Sequence, residues 1–254
     1  MSFSLRDYQN EGIEMVYSHF RSGIKKVILW GQTGMGKSVI FSKMIQDNYD
    51  HGCHIVFTVT GKELIKQASK HLDSWGIPHG VHMAKHHRFR PNERVQICSI
   101  DTLNSRELYP HADKKNVFIV IDESHRATPS ARKYAKFMNS YPDAYFAGFT
   151  ATPFSNNSLW DAIVKPIEAH ELRDQGYLVP ERTFVPNIID TSHVSLKRNG
   201  EFNEHELFEA SAKSEIIGDF VRDWKNYSQK RPTILFAVNV EHSKIIAEGF
   251  NNAG

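Results

Sequence analysis

KVILW at residues 26–30 runs directly into GQTGMGKS at residues 31–38, and a stretch of helical period begins at Ser38. The octet fits the phosphate-loop spacing GxxxxGKS/T, and the flanking runs supply the strand, loop and helix context that this spacing needs. Glycines at 31, 34 and 36 let the backbone turn tightly, so that successive N–H groups and the helix N-terminus face phosphate oxygens. In that geometry Lys37 reaches the β- and γ-phosphates and the Ser38 hydroxyl ligates Mg²⁺, while Gln32, Thr33, Gly34, Met35 and Gly36 line the phosphates. The expected ligand is a nucleoside triphosphate.

Further short apolar runs recur at 54–59 (HIVFTV), 95–100 (VQICSI), 116–121 (NVFIVI) and 144–149 (AYFAGF), separated by polar stretches of helical period. Alternation of this kind predicts βαβ units and an α/β fold with a mainly parallel central sheet flanked by helices. Ligands of such sheets gather at the carboxyl ends of the strands. Residues 155–213 are rich in Asn, Ser, His and charge and read as a linker or irregular insertion. An amphipathic helix is predicted over 213–227, then a strand at 233–238 (TILFAV) and a helix from Val240 to about Asn251, the opening of a second α/β unit.

The bulk numbers bound the class. A chain of 254 residues, 40% hydrophobic and 24% charged, has room for one large or two modest globular domains. A net charge of +2 permits nucleic-acid binding without announcing it, and 14 histidines add positive charge only below about pH 6.5. Cys53 and Cys98 each fall in an apolar run and read as buried free thiols of a reducing compartment. No run approaches the ~18 apolar residues of a membrane span, and the polar N-terminus carries no signal-like stretch, so the expected location is cytoplasmic with no membrane partner. His82 and His86 share a helical spacing near His79 and His87, but no Cys, Asp or Glu at suitable spacing joins them, and no metal is assigned there. Phe137, Trp160, Phe220 and Trp224 read as core residues.

Asp122 and Glu123 close the run NVFIVI, giving IVIDESH. Two carboxylates at the end of a strand that shares a sheet with a phosphate loop suit Mg²⁺ chemistry. Asp122 would hold the metal, directly or through water, and Glu123 would orient and deprotonate the attacking water. Thr150, Ala151, Thr152 and Pro153 follow AYFAGF, and the two hydroxyls could hydrogen-bond the carboxylates and report the phosphate state.

GQTGMGKS, DESH and GFTATP, in this order and on these strands, resemble motifs I, II and III of the DExH-type superfamily 2 helicases and translocases. The resemblance is dense from residue 5 to about 153. It implies a RecA-like ATP-binding domain over 1–165, then a linker and the start of a second RecA-like domain over 166–254, where TILFAVNVEHS (233–243) is similar to the opening strand and helix. LRDYQ (5–9) resembles the Q-type motif, which implies that Gln9, with Arg6, reads adenine. VTGKELIKQ (59–67) and ICSIDTL (97–103) resemble segments Ia and Ib, which line a single-stranded nucleic-acid track. Gly61 and Lys62 at a helix start, and Asp101 with Thr102, are thereby implied contacts, and His125 is implied to couple with Thr150 and Thr152. DQGYLVP (174–180) and the DESH variant look nearest to the UvrB and restriction-enzyme Res-subunit group, which acts on DNA.

KHHRFRPNER (85–94) precedes the Ib strand, and Arg88 and Arg90 would grip phosphates while Phe89 stacks on a base. No string after residue 243 resembles motif V or the arginine-bearing motif VI, so the chain is expected to bind ATP, to turn it over weakly alone, and to be part of a longer two-lobe motor. The expected partner is DNA or RNA, with DNA favoured. The rival readings are a duplex DNA translocase subunit of a restriction system and a non-catalytic ATP-binding switch.

Overall fold

The computed structural model describes residues 4–83, 85–106, 109–152, 158–183, 189–197, 201–228 and 231–253. They divide between two compact units, Met1–Pro180 and Glu181–Gly254.

The first unit is a seven-stranded sheet. Its strands are β1 (Lys26–Trp30), β2 (His54–Val59), β3 (Gly80–Val81), β4 (Val95–Ser99), β5 (Val117–Asp122), β6 (Tyr145–Thr150) and β7 (Ala162–Val164). They lie in the order β3-β4-β2-β5-β6-β1-β7, and every pairing is parallel. The helices are α1 (Asp7–Arg21), α2 (Lys37–Asp50), α3 (Lys62–Ser74), α4 (Ile100–Arg106), α5 (Arg132–Asn139) and α6 (Ala169–Asp174). This is the α/β architecture the sequence predicts.

Helices cover both faces, which is why the strands are continuous apolar runs. Val27, Leu29, Ile55, Phe57, Val59, Phe118, Val120, Ala147 and Phe149 point into one core, against Val16 of α1, Ile40, Phe41 and Met44 of α2, and Ile65 and Leu72 of α3. Their sequence neighbours Ile28, Val56, Ile119, Ile121 and Phe146 point into the other, against Leu103 of α4 and Tyr134, Phe137 and Met138 of α5. Phe41 packs between Phe57 and Phe149, at ring centroid distances of 4.8 and 5.6 Å. The alternation locks register, because a one-residue slip would exchange the two cores.

Ile100 begins α4 instead of ending β4. Ser99 Oγ accepts a hydrogen bond from Thr102 N at 3.1 Å, capping the new helix. Residues 155–213 are more than a linker, since they contribute β7, α6 and a helix of the second unit. The first unit continues past residue 165 because Leu172 of α6 lies in its core and Leu178 packs against it. Phe137 and Trp160 are buried as expected, whereas Phe220 and Trp224 are only half-buried. Cys98 is buried and Cys53 only half-buried, and both are free thiols.

The second unit contains α7 (Glu204–Ser211), α8 (Ser214–Tyr227) and α9 (Val240–Asn252), with Trp224 of α8 stacked edge-on against Phe250 of α9 at 5.4 Å. The strand expected at 233–238 does not form: residues 231–237 have no regular structure, and Ile234 and Phe236 are 82% and 91% exposed. β-propensity acts through neighbouring strands. Among the described residues of this unit, the only strand-type pairing is a single antiparallel bridge, Leu196 to Phe202. No described helix is long and apolar enough to cross a membrane.

Candidate nucleotide site

The parallel topology brings five strand ends to one edge: Gly31 after β1, Thr60 after β2, Ile100 after β4, Glu123 after β5 and Ala151 after β6. Gly31 N donates to Thr150 O at 3.0 Å, so the phosphate loop and the TAT segment leave the sheet side by side. Gly34 and Gly36 adopt φ of +89° and +87°, a left-handed backbone that side chains resist. Met35 turns inward and is fully buried, so tightly under the loop that a Cβ on Gly31 would fall 1.7 Å from its Sδ. Among the described residues, the backbone N–H groups of Gly34, Gly36, Lys37 and Ser38 donate to no protein acceptor. With the N-terminus of α2 they form an anion cradle. Lys37 Nζ spans the loop, donating to Gly31 O at 2.9 Å and Gln32 O at 3.2 Å, while Thr33 and Ser38 are exposed at its mouth.

α1 ties itself to this loop. Tyr8 donates its hydroxyl hydrogen to Met35 O at 2.8 Å, and Gln9 Nε2 donates to the same carbonyl at 3.1 Å. Gln9 Oε1 accepts from Arg6 N at 3.0 Å, so Gln9 is buried and braces the loop with both ends of its amide. Arg6 Nη1 donates to Tyr8 Oη at 2.9 Å.

Opposite the loop, Asp122 ends β5 and its Oδ1 accepts from Glu123 N at 2.9 Å. Glu123 has φ +51°, a left-handed conformation for a non-glycine residue that turns the chain sharply into a 3₁₀ turn over Ser124–Arg126. Its Oε2 lies 3.2 Å from His125 Nδ1, which lies 3.0 Å from Thr150 Oγ1. A carboxylate only accepts, so Nδ1 carries the proton and donates toward both oxygens. Thr150 Oγ1 then accepts from Thr152 N at 3.1 Å and gives its own proton to Thr152 O at 3.2 Å. The chain Glu123, His125, Thr150, Thr152 is therefore closed, and Thr150 O links it to Gly31. Pro153 lies outside the described residues.

Charge reinforces the geometry. Burial pushes the Lys37 ammonium below its ordinary pKa, and the negative charges of Glu123 and Asp122 pull it back up. Burial pushes the Asp122 carboxyl up, the bond from Glu123 N and the charges of Lys37 and His125 lower it, and the Glu123 charge raises it. Amides and an ammonium suit phosphate oxygens, and a hydroxyl with a carboxylate suits a hard cation such as Mg²⁺. The site residues fit a Mg²⁺-bound nucleoside triphosphate.

The residues expected to touch nucleic acid separate into two groups. Gly61 (φ +89°) and Lys62 open α3 beyond β2, and Asp101 with Thr102 open α4 beyond the neighbouring β4. Lys62 is exposed and, among the described residues, has no acidic partner; Asp101 pairs with Lys133. Arg88 and Arg90 instead follow β3 at the sheet edge, at the far end of the strand order from the β1 and β7 end. Arg88 Nη1 bonds Asp73 Oδ1 at 2.5 Å and donates to His79 Nε2 at 2.8 Å. Burial pushes the His79 pKa down, and its Nδ1 donates to Ile77 O. Arg88 is thus built into the fold, Arg90 lies 3.9 Å from Glu93, and Phe89 is exposed with its ring 5.9 Å from that of His82.

Two residues carried no role in the sequence reading. Tyr177 stacks on Arg6, and Leu178 rests on the phosphate loop, where a Cβ on Gly34 would fall 2.7 Å from its Cδ2. Their string, GYLVP, lies within the stretch that carries the family resemblance, but its contacts with Arg6 and the phosphate loop are seen only in the packing.

Residues 2–155 match the family model described as type III restriction enzyme, res subunit. A 51.5 kDa protein of a Lactococcus phage (isolate 7-9) is 26% identical over 226 residues, covering 87% of this chain and 46% of its own. The putative mitochondrial ATP-dependent helicase irc3 of Schizosaccharomyces pombe is 24% identical over 268 residues, covering 100% and 44%. The chain therefore spans less than half the length of these relatives. Among solved structures, the ATP-dependent type ISP restriction-modification enzyme LlaBIII bound to DNA aligns with TM-score 0.61 at 13% identity, covering 98% of this chain and 21% of its own. The DUF1998 helicase MrfA aligns with TM-score 0.55 at 15% identity, covering 100% and 41%. The fold is that of a RecA-like helicase lobe, and with three-fifths of its length under the family model the chain belongs to the family of type III restriction enzyme Res subunits.

Proposed function

We propose that this chain is the ATP-binding part of an ATP- and Mg²⁺-dependent helicase or translocase that acts on DNA. The observation that carries the reading is the joint geometry of the phosphate loop, with its uncommitted amides and Lys37, and the Asp122–Glu123 pair tied through His125 to Thr150. The loop amides and Lys37 hold the β- and γ-phosphates. Ser38 and Asp122 would hold Mg²⁺, which neutralises phosphate charge when bound. Glu123 takes a proton from the attacking water, and His125 fixes its carboxylate. A change at the γ-phosphate reaches Thr150 and Thr152 through the same hydrogen bonds, and from them the loops after β2 and β4, where Gly61, Lys62, Asp101 and Thr102 contact the sugar-phosphate backbone. Rapid turnover also requires an arginine from a second RecA-like lobe, so this chain alone hydrolyses ATP slowly.

Family membership supports a second reading, a restriction motor subunit that moves along duplex DNA without separating it. Triplex-displacement activity without strand displacement would favour the second. A binding-only switch has no use for a carboxylate such as Glu123 at the end of β5.

The test is calorimetry with Mg²⁺–ATP. Wild-type protein should bind, Lys37→Ala should lose binding, and Glu123→Gln should bind ATP while losing the residual turnover. No heat from wild type would end the nucleotide reading.

A further inference from the structure

The segment that closes the first unit is built against the nucleotide site. α6 ends at Asp174, Gly176 takes φ +72°, and Tyr177 N and Leu178 N both donate to Leu172 O, at 2.8 and 3.0 Å. This backbone clamp holds Tyr177 while the Leu178 side chain lies against Gly34 of the phosphate loop. The Arg6 guanidinium sits over the Tyr177 ring, 3.9 Å from its centroid. From Arg6 the hydrogen bonds run through Tyr8 Oη to Met35 O, so the stack is one hydroxyl away from the loop backbone. Tyr177 remains 41% exposed and Arg6 is exposed. A guanidinium backed on one face by an aromatic ring offers its other face to a planar π system, and arginine planes stack on bases.

We propose that Tyr177 is a positioning residue of the nucleotide site: its ring holds the Arg6 guanidinium flat, and the base of the nucleotide stacks on the outer face of that guanidinium. The proposal rests on the nucleotide reading above. It makes the turn at 176–178 part of base recognition, and it separates two jobs in the site: the loop holds phosphates and the Tyr177–Arg6 pair holds the base. The pair is preformed, since Leu172 O holds the Tyr177 backbone and Tyr8 Oη accepts from the Arg6 guanidinium before any ligand arrives.

Inorganic tripolyphosphate, which has no base, separates the two jobs. The experiment measures Mg²⁺–ATP and Mg²⁺–tripolyphosphate affinities for wild type, Tyr177→Ala, Tyr177→Phe, Arg6→Ala and the Arg6→Ala/Tyr177→Ala double variant. Tyr177→Ala should weaken ATP roughly three- to tenfold and leave tripolyphosphate unchanged, and Tyr177→Phe should restore ATP affinity. The double variant should be no weaker than Arg6→Ala, because Tyr177 acts through Arg6. Equal losses of both ligands in Tyr177→Ala would mean that Tyr177 merely supports the loop, and an unchanged ATP affinity would mean that the stack is surface decoration; either overturns the proposal. Failure of wild type to bind either ligand would instead remove the nucleotide reading itself, and this inference with it.

Discussion

Replacing Thr150 by Val removes one oxygen from the relay and keeps the shape. Thr150 is 1% exposed, and its Oγ1 takes part in three hydrogen bonds: to Thr152 O, from Thr152 N and from His125 Nδ1. At about 1 kcal/mol net for each, their loss costs about 3 kcal/mol. The added methyl returns about 0.8 kcal/mol of apolar burial, leaving a destabilisation of about 2 kcal/mol. His125 keeps Glu123 as a partner, so His125→Ala in the Thr150→Val background should cost less than in wild type, with a coupling of about 0.5–1 kcal/mol. Urea unfolding followed by tryptophan fluorescence reads this well, because Trp30, Trp75 and Trp160 all belong to the first unit. ATP affinity should be nearly unchanged, since Thr150 touches the loop only through its carbonyl. A Thr150→Val stability within about 0.5 kcal/mol of wild type, or additive costs with His125→Ala, would refute a formed relay.

Other outcomes follow from the same structure. Lys62→Ala should weaken nucleic-acid binding across sequences and lower the slope of log affinity against log salt by about one. Arg88→Ala should leave that slope alone and instead lower stability, because its guanidinium is committed to Asp73 and His79; a reduced slope in a stably folded Arg88→Ala protein would contradict this. His111 stacks on His54 at 4.6 Å, and burial, with the nearby His54, holds its folded pKa down at about 4 against an ordinary 6.5. The folded state therefore resists a proton that the unfolded state accepts, so stability is full above pH 6.5 and is lost as pH falls toward 4. For a half-exposed group the loss is about 1–2 kcal/mol. His111→Asn, which tolerates the φ of +60°, should flatten the urea midpoint between pH 7 and pH 4.5, and parallel profiles would argue against the assignment.

Most of the first unit is legible in the sequence because its strands are buried on both faces and so advertise themselves as unbroken apolar runs. β3 and β7 are not legible. They are Gly80–Val81 and Ala162–Val164, too short to show a period, and they become strands only because β4 and β1 offer them open edges. TILFAV shows the converse: its composition is that of a strand, but no ladder partner stands beside it among the described residues. In the candidate site, spacing can single out residues whose types phosphate and Mg²⁺ chemistry would call for. Arg88 is hard to read because a run of positive charge looks the same whether its partners are phosphates or protein groups such as Asp73 and His79 in earlier elements. The contacts of Tyr177 and Leu178 are illegible for the opposite reason, since packing against Arg6 and Gly34 leaves no mark on their own chemistry.

The strand order carries a consequence for how the molecule is made. β1 lies between β6 and β7, and Lys26 pairs with Phe146, which the ribosome adds about 120 residues later. At roughly 5–20 residues per second the wait is on the order of 10 s. Throughout that interval Val27, Ile28 and Leu29 have no ladder on either side, and such long sequence separations slow folding generally. The loop that begins at Gly31, whose amide finds its acceptor only in Thr150, is thus synthesised well before that acceptor and is among the last segments to take shape.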